Sequence, residues 1–170
     1  MHSFRKSLAK SHSYADAPWW ETVYREAFPD LAAMVDVRAD GWWQRAGIDR
    51  VLTLSNSLQV RIDEKVRDQD WDDFCLEYWS DVDRRAPGWI AKPLACDFIA
   101  YAFVPSQRCY LLPFQSLRRA WRTNRASWVR NFPRIEAQND NFTTISVAVP
   151  IQQVLSALGV ATLIQWAEVV

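Results

Sequence analysis

Two β-prone runs on either side of three turn-forming residues constrain this chain more than any other feature. Residues 47–67 read Gly-Ile-Asp-Arg-Val-Leu-Thr-Leu, then Ser-Asn-Ser, then Leu-Gln-Val-Arg-Ile-Asp-Glu-Lys-Val-Arg. Aliphatic and β-branched residues flanking a short Ser/Asn loop predict a β-hairpin. With Ser55-Asn56-Ser57 as the loop, Leu54 faces Leu58, Leu52 faces Val60, Arg50 faces Ile62, and Asp49 faces Asp63. Side chains alternate between the faces of a strand. Leu52, Leu54, Leu58, Val60 and Ile62 therefore form an apolar face, while Gln59, Arg61, Asp63 and Lys65 share the other with Asp49. Like charges placed directly opposite destabilise a sheet. Two facing aspartates with a lysine two residues on ask for a reason, and a divalent cation supplies one.

A plainer reading makes Asp63 and Lys65 an ordinary solvated strand face carrying a cross-strand ion pair, with Asp49 as a turn or strand-start residue. Against it stands a pattern. An acid at the start of one strand and (Asp/Glu)-x-Lys on the next resembles the PD-(D/E)XK nuclease superfamily, which includes restriction endonucleases and archaeal Holliday-junction resolvases. The matching residues are Ile48-Asp49 and Asp63-Glu64-Lys65, Ile48 standing where the name-giving proline would be. Only Asp63 has a lysine two positions later, so the register is unique. The resemblance covers roughly residues 15 to 125.

The resemblance implies an α/β chain with a restriction endonuclease-like core, a mixed central β-sheet flanked by helices. It also implies Mg²⁺ or Mn²⁺ held by Asp49, Asp63 and the backbone carbonyl of Glu64, with Lys65 beside the attacking water. A helix before the hairpin often adds a glutamate in this superfamily. Glu21 is the candidate here, and the competing role for it is an exposed pair with Arg25. The expected activity is metal-dependent hydrolysis of phosphodiester bonds in DNA. The alternative is a catalytically inactive nuclease-fold protein acting as a nucleic-acid-binding or assembly module. The superfamily's habits allow a homodimer.

Composition excludes several other classes. The chain has 170 residues, 49% of them hydrophobic, and ten tryptophans, which suits a folded domain with a real core. Residues 14–170 read as a single domain behind a basic tail, 1–13, carrying Arg5, Lys6 and Lys10. No apolar run has the length of a membrane span, and no phosphate-cradling glycine loop occurs among four glycines. The only histidines, His2 and His12, lie in the tail, which leaves no Ser/His/Asp, Cys/His or histidine-zinc system. Cys75, Cys96 and Cys109 lack metal-ligand spacing and read as reduced thiols of a cytoplasmic protein.

Charge is balanced overall but unevenly placed. Nine acids fall between Asp63 and Asp83, whereas Phe98 to Ile135 holds none and contains seven arginines. Spacing predicts helices at Asp16–Phe28, capped by Asp16, and at Leu31–Val35, then an Asp40-Gly41 turn leading into Trp42-Trp43. Beyond the hairpin it predicts a helix over Asp70–Asp83, a buried strand over Asp97–Val104 and a return strand over Cys109–Leu112. A helix over Phe114–Val129, a strand over Phe142–Val149 and a helix over Ile151–Leu158 complete the chain. Arg118, Arg122 and Arg125 form a stripe on the Phe114 helix. It suits a DNA phosphate backbone, a solubilising face, or a partner for the acidic segment.

Overall fold

The hairpin forms in the expected register and seeds a larger sheet. In the computed structural model, which describes residues 14–167, β2 (Arg50–Leu54) pairs antiparallel with β3 (Gln59–Arg67). Arg50 lies opposite Ile62 and Leu52 opposite Val60. A bond from the Asp49 N–H to the Ile62 carbonyl, 2.8 Å, carries the pairing one residue beyond the strand. Ser57 adopts φ 68° at the loop, and Leu58 beside it is exposed, not buried with the rest of the apolar face.

The described chain separates into two compact units, each assembled from non-contiguous stretches, so no linker is legible in the sequence. One unit comprises residues 14–70, 94–114 and 160–167. It contains α1 (Trp19–Ala27), β1 (Leu31–Asp36), α2 (Gly41–Ala46), β2, β3, β6 (Phe98–Phe103), β7 (Arg108–Pro113) and β10 (Thr162–Gln165). Its six strands run in the order β1-β2-β3-β6-β7-β10. Only the β3–β6 pairing is parallel, which makes the sheet mixed. Phe98–Phe103 is buried along nearly its whole length, as its two-sided apolar sequence requires.

Helix α1 has the apolar stripe expected of it. Trp20, Val23 and Tyr24 are inaccessible and share a core with Leu31, Leu52, Ile62, Ala100, Leu111 and Trp166. Pro18, not Asp16, is the residue before the helix, and no side chain caps it. Leu31–Val35, expected as a helix, lies in a strand, β1, paired with β2 from Leu31↔Leu54 to Asp36↔Arg50. A six-residue run such as Leu-Ala-Ala-Met-Val-Asp carries too little periodicity to choose; the neighbouring strand chooses. Asp40 caps α2 through its Oδ1, which accepts the Trp42 N–H at 2.8 Å. Gly47 ends α2 with φ 70°, and a Cβ there would meet Leu94 at 2.6 Å. That turn delivers Ile48, which is buried, and Asp49 to the start of β2.

The other unit comprises Trp71–Pro93 and Gln115–Gly159. It contains β4 (Asp73–Asp81), β5 (Ala86–Pro87), β8 (Arg134–Gln138), β9 (Thr143–Pro150), α4 (Ile151–Leu158) and all but the first residue of α3 (Phe114–Asn131). The antiparallel sheet runs β5-β4-β9-β8. Asp70–Asp83, expected as an acidic helix, is largely β4. Its sequence satisfies two periods at once, and the apolar residues buried along it, Phe74, Leu76 and Tyr78, stand at alternate positions. Pairing along most of β9 decides for the strand. Helices α3 and α4 lie where the spacing places them, and Trp121 approaches Tyr78 and Trp128 with centroids at 5.7 and 6.3 Å. Among the described residues, no helix is long and apolar enough to cross a membrane.

Candidate active site

Strand β3 sends Asp63 and Lys65 to one face and Glu64 to the other, and the two faces carry different electrostatics. On the first, Lys65 Nζ lies 2.7 Å from both Asp63 oxygens. The geometry makes a hydrogen bond to Oδ1 alone; the buried Oδ2 has no hydrogen-bond partner among the described residues. Asp63 is 5% exposed. Burial pushes its pKa up to about 6, with Lys65 opposing and the nearby Asp49 carboxylate reinforcing. Burial also works against the Lys65 charge, yet Asp63 and Asp49 outweigh it and hold the ammonium above its ordinary pKa. The Cys96 thiol nearby is pushed up by burial and by Asp63, so it stays protonated.

On the second face Glu64 is saturated with donors. Its side chain, 1% exposed, accepts from the Tyr24 hydroxyl at 2.6 Å, from Arg50 Nε at 2.7 Å and from Arg38 Nη2. Arg50 also donates to the Ala15 carbonyl at 2.8 Å. Arg38 reaches Asp36 as well. Burial, reinforced by Cys109 and Asp49, outweighs the pull of Arg50 and Arg38 and keeps the Tyr24 phenol protonated, its pKa well above the usual value.

Asp49 is bonded to the second set and lies close enough to the first to raise the pKa of Asp63. Its Oδ2 accepts the Glu64 backbone N–H at 2.8 Å, and its Oδ1 lies 3.6 Å from Arg38 Nε. The structure therefore brings together Asp49, Asp63 and Lys65, as the hairpin register requires. Glu64 reaches Asp49 through its backbone N–H, while its side chain is committed to the buried face. Glu21 does not join them: it lies on the exposed side of α1, paired with Arg25 at 2.8 Å. Tyr24, one turn along, is the residue α1 contributes. Asp97, at the mouth of β6, is bound by the Arg61 backbone and guanidinium at 2.8–3.0 Å. Burial alone would raise the Asp97 pKa, but Arg61 overrides it and holds the pKa low.

No family model, curated protein or solved structure matches this chain significantly. The site has to be read from its own chemistry.

Tyr24, Asp36, Arg38 and Arg50 escape sequence reading. One signal was legible: Arg50 faces Ile62 on the apolar side of the hairpin, and Glu64 falls on that side too. A buried arginine calls for a buried acid.

A divalent cation can be tested against these residues. Among those described, no three His, Cys, Asp or Glu side chains cluster as a metal group. Mg²⁺, however, commonly takes only one or two carboxylates and keeps several waters. Asp49 and Asp63 suit that mode, the Asp63 Oδ2 being 2.7 Å from the Lys65 ammonium but making no hydrogen bond. The residues fit the ion.

The arginine stripe belongs to the other unit. Arg122 is exposed, Arg125 lies about 6 Å over the Trp79 and Trp121 rings, and Arg118 has its Nε enclosed with no hydrogen-bond partner. Beside the stripe, a groove of about 410 Å³ is lined by Ser116, Arg119, Thr123, Asn124, Gln153 and Ser156, without a carboxylate.

Proposed function

We propose that this protein is a Mg²⁺- or Mn²⁺-dependent nuclease that hydrolyses phosphodiester bonds in DNA, with Asp49, Asp63 and Lys65 at its centre. The supporting observation is the Asp49–Asp63–Lys65 constellation itself, set on a hairpin whose register opposes the two acids. Mg²⁺ bound by Asp49 and Asp63 would supply positive charge and a water of lowered pKa. In the hydrolysis, a water oxygen bonds to phosphorus, the bond to the leaving ester oxygen breaks, and that oxygen is protonated. Lys65 holds the attacking water and offsets charge developing at phosphorus, and Asp63 keeps the ammonium in place. The acid-free arginine helix α3 suits the phosphate backbone, with Arg122 the freest of the three expected contacts and Arg119 a further one. The restriction endonuclease-like core belongs to this proposal; the mixed sheet in which β3 is antiparallel to β2 and parallel to β6, with α1 packed on it, supports it.

A second reading has its own support. The segment after Lys65 is a strand and not the helix the resemblance leads one to expect, and Asp49 is already engaged by Glu64 and Arg38. Both suit a binding or assembly module in which the aspartates are structural. Supercoiled, linear, branched and single-stranded DNA incubated with Mg²⁺ or Mn²⁺ separates the two. The nuclease reading expects cutting by wild type that is lost in Asp63→Asn and Lys65→Ala. Equal residual cutting in all three proteins would leave the module.

A further inference from the structure

Asp49 is the one site carboxylate gripped from the far side of the sheet. Asp63 and Lys65 point to one face of β3, and Glu64 to the other. Glu64 nevertheless holds Asp49 twice, once through its backbone N–H at 2.8 Å and once through Arg38. The Arg38 guanidinium spans Asp36, Asp49 and Glu64. Its side chain is 21% exposed while that of Glu64 is 1% exposed, so the acid is the fixed point and the arginine the arm. Tyr24 and Arg50 fix the acid in turn. Glu64 occupies the position that the Asp-x-Lys pattern leaves open, and the buried network gives it a specific duty.

We propose that Arg38 is a positioning residue for Asp49, with Glu64 as its buried anchor, and that the pair sets the affinity of the Asp49–Asp63 site for a divalent cation. The inference rests on the cation-site reading above. A planar fork can bond two carboxylates and lean on a third; a lysine ammonium is a point charge and cannot span them. Partners behind a metal ligand typically change metal affinity by about 10- to 100-fold when removed. The sign of that change is diagnostic. Simple Coulomb attraction makes removal of a cation tighten the site, whereas loss of positioning weakens it.

The test is Mn²⁺ binding to the full chain by calorimetry and electron paramagnetic resonance, with crystal structures of the variants. Arg38→Ala and Arg38→Lys should each weaken Mn²⁺ binding by about 10-fold or more, with lysine failing to rescue. Tyr24→Phe changes no charge and removes only one bond to Glu64. It should fold and weaken binding in the same direction but less, so the inference stays testable if Arg38 variants do not fold. In the Arg38→Lys crystal, Asp49 should have left the Glu64 N–H. Unchanged or tighter Mn²⁺ binding in Arg38→Ala, or in Tyr24→Phe where only that variant folds, overturns the proposal. So does an Asp49 that keeps its bond to Glu64 in the variant crystals. Absence of Mn²⁺ binding in wild type overturns the cation reading itself, a distinct result.

Discussion

The two faces of β3 treat a buried carboxylate in opposite ways. Glu64 receives three side-chain donors, two of them charged, and its negative charge is matched on the spot. Asp63, one residue earlier and nearly as buried, has Lys65 for one oxygen and no hydrogen bond for the other, with Asp49 close enough to raise its pKa. A carboxylate surrounded by donors holds structure together. One left short of donors beside another acid is destabilising until something positive arrives. The contrast separates the scaffold from the site within three consecutive residues.

The largest effect should come from breaking the satisfied face. Glu64→Ala leaves Arg38 and Arg50 without their shared acid, and losing one partner of a buried ion pair costs about 3–5 kcal/mol. Urea denaturation at pH 7 should show that loss; a change under 1 kcal/mol would mean the network is far more solvated than its burial indicates.

On the other face the expected loss is catalytic. Lys65→Ala should reduce DNA cleavage by about two orders of magnitude or more, the usual worth of a group stabilising developing charge. Its loss of stability should be smaller than that of Glu64→Ala, because the Lys65 side chain is 28% exposed and Asp63, whose pKa is already raised to about 6, can take up a proton when its partner is gone. Parallel losses in stability and cleavage would erase the distinction between the faces.

A smaller effect sharpens the comparison through pH. The Asp63 pKa rises from 3.8 to about 6 on folding, so its ionised form is disfavoured in the native state. That cost is absent below the unfolded pKa, grows between about pH 4 and pH 6, and is complete above. Asp63→Asn should therefore gain stability relative to wild type as pH rises to 7.5, by at most about 3 kcal/mol for a shift of this size at roughly 1.4 kcal/mol per unit, less what the buried Lys65 ammonium loses with its counter-charge. The gain should vanish near pH 3.5. Glu64→Gln should show no such gain at any pH. Denaturation of both variants across that range checks the sign.

The mildest expectation concerns the other unit. If α3 tracks phosphates, Arg122→Ala should lower the log–log salt slope of DNA binding by about 0.9 for duplex DNA. An unchanged slope would assign Arg122 to solubility.

The sequence by itself determined the hairpin, its register and the meeting of Asp49, Asp63 and Lys65, because a period of two and a short loop leave one pairing that buries the apolar side. It also determined α1, α3 and α4, whose apolar residues recur at helical spacing over two turns or more. Other parts only the tertiary structure decided. Leu31–Asp36 is too short for its period to speak, and Asp73–Asp81 carries both periods, so strand partners β2 and β9 settle them. From the sequence Glu64 has a backbone role alone, because an acid on the apolar side of a strand makes no sense until its partners are known. Those partners lie 40 residues before it at Tyr24, 26 before it at Arg38 and 14 before it at Arg50. Periodicity reports what one segment buries; it is silent about which distant cation will neutralise a charge placed there.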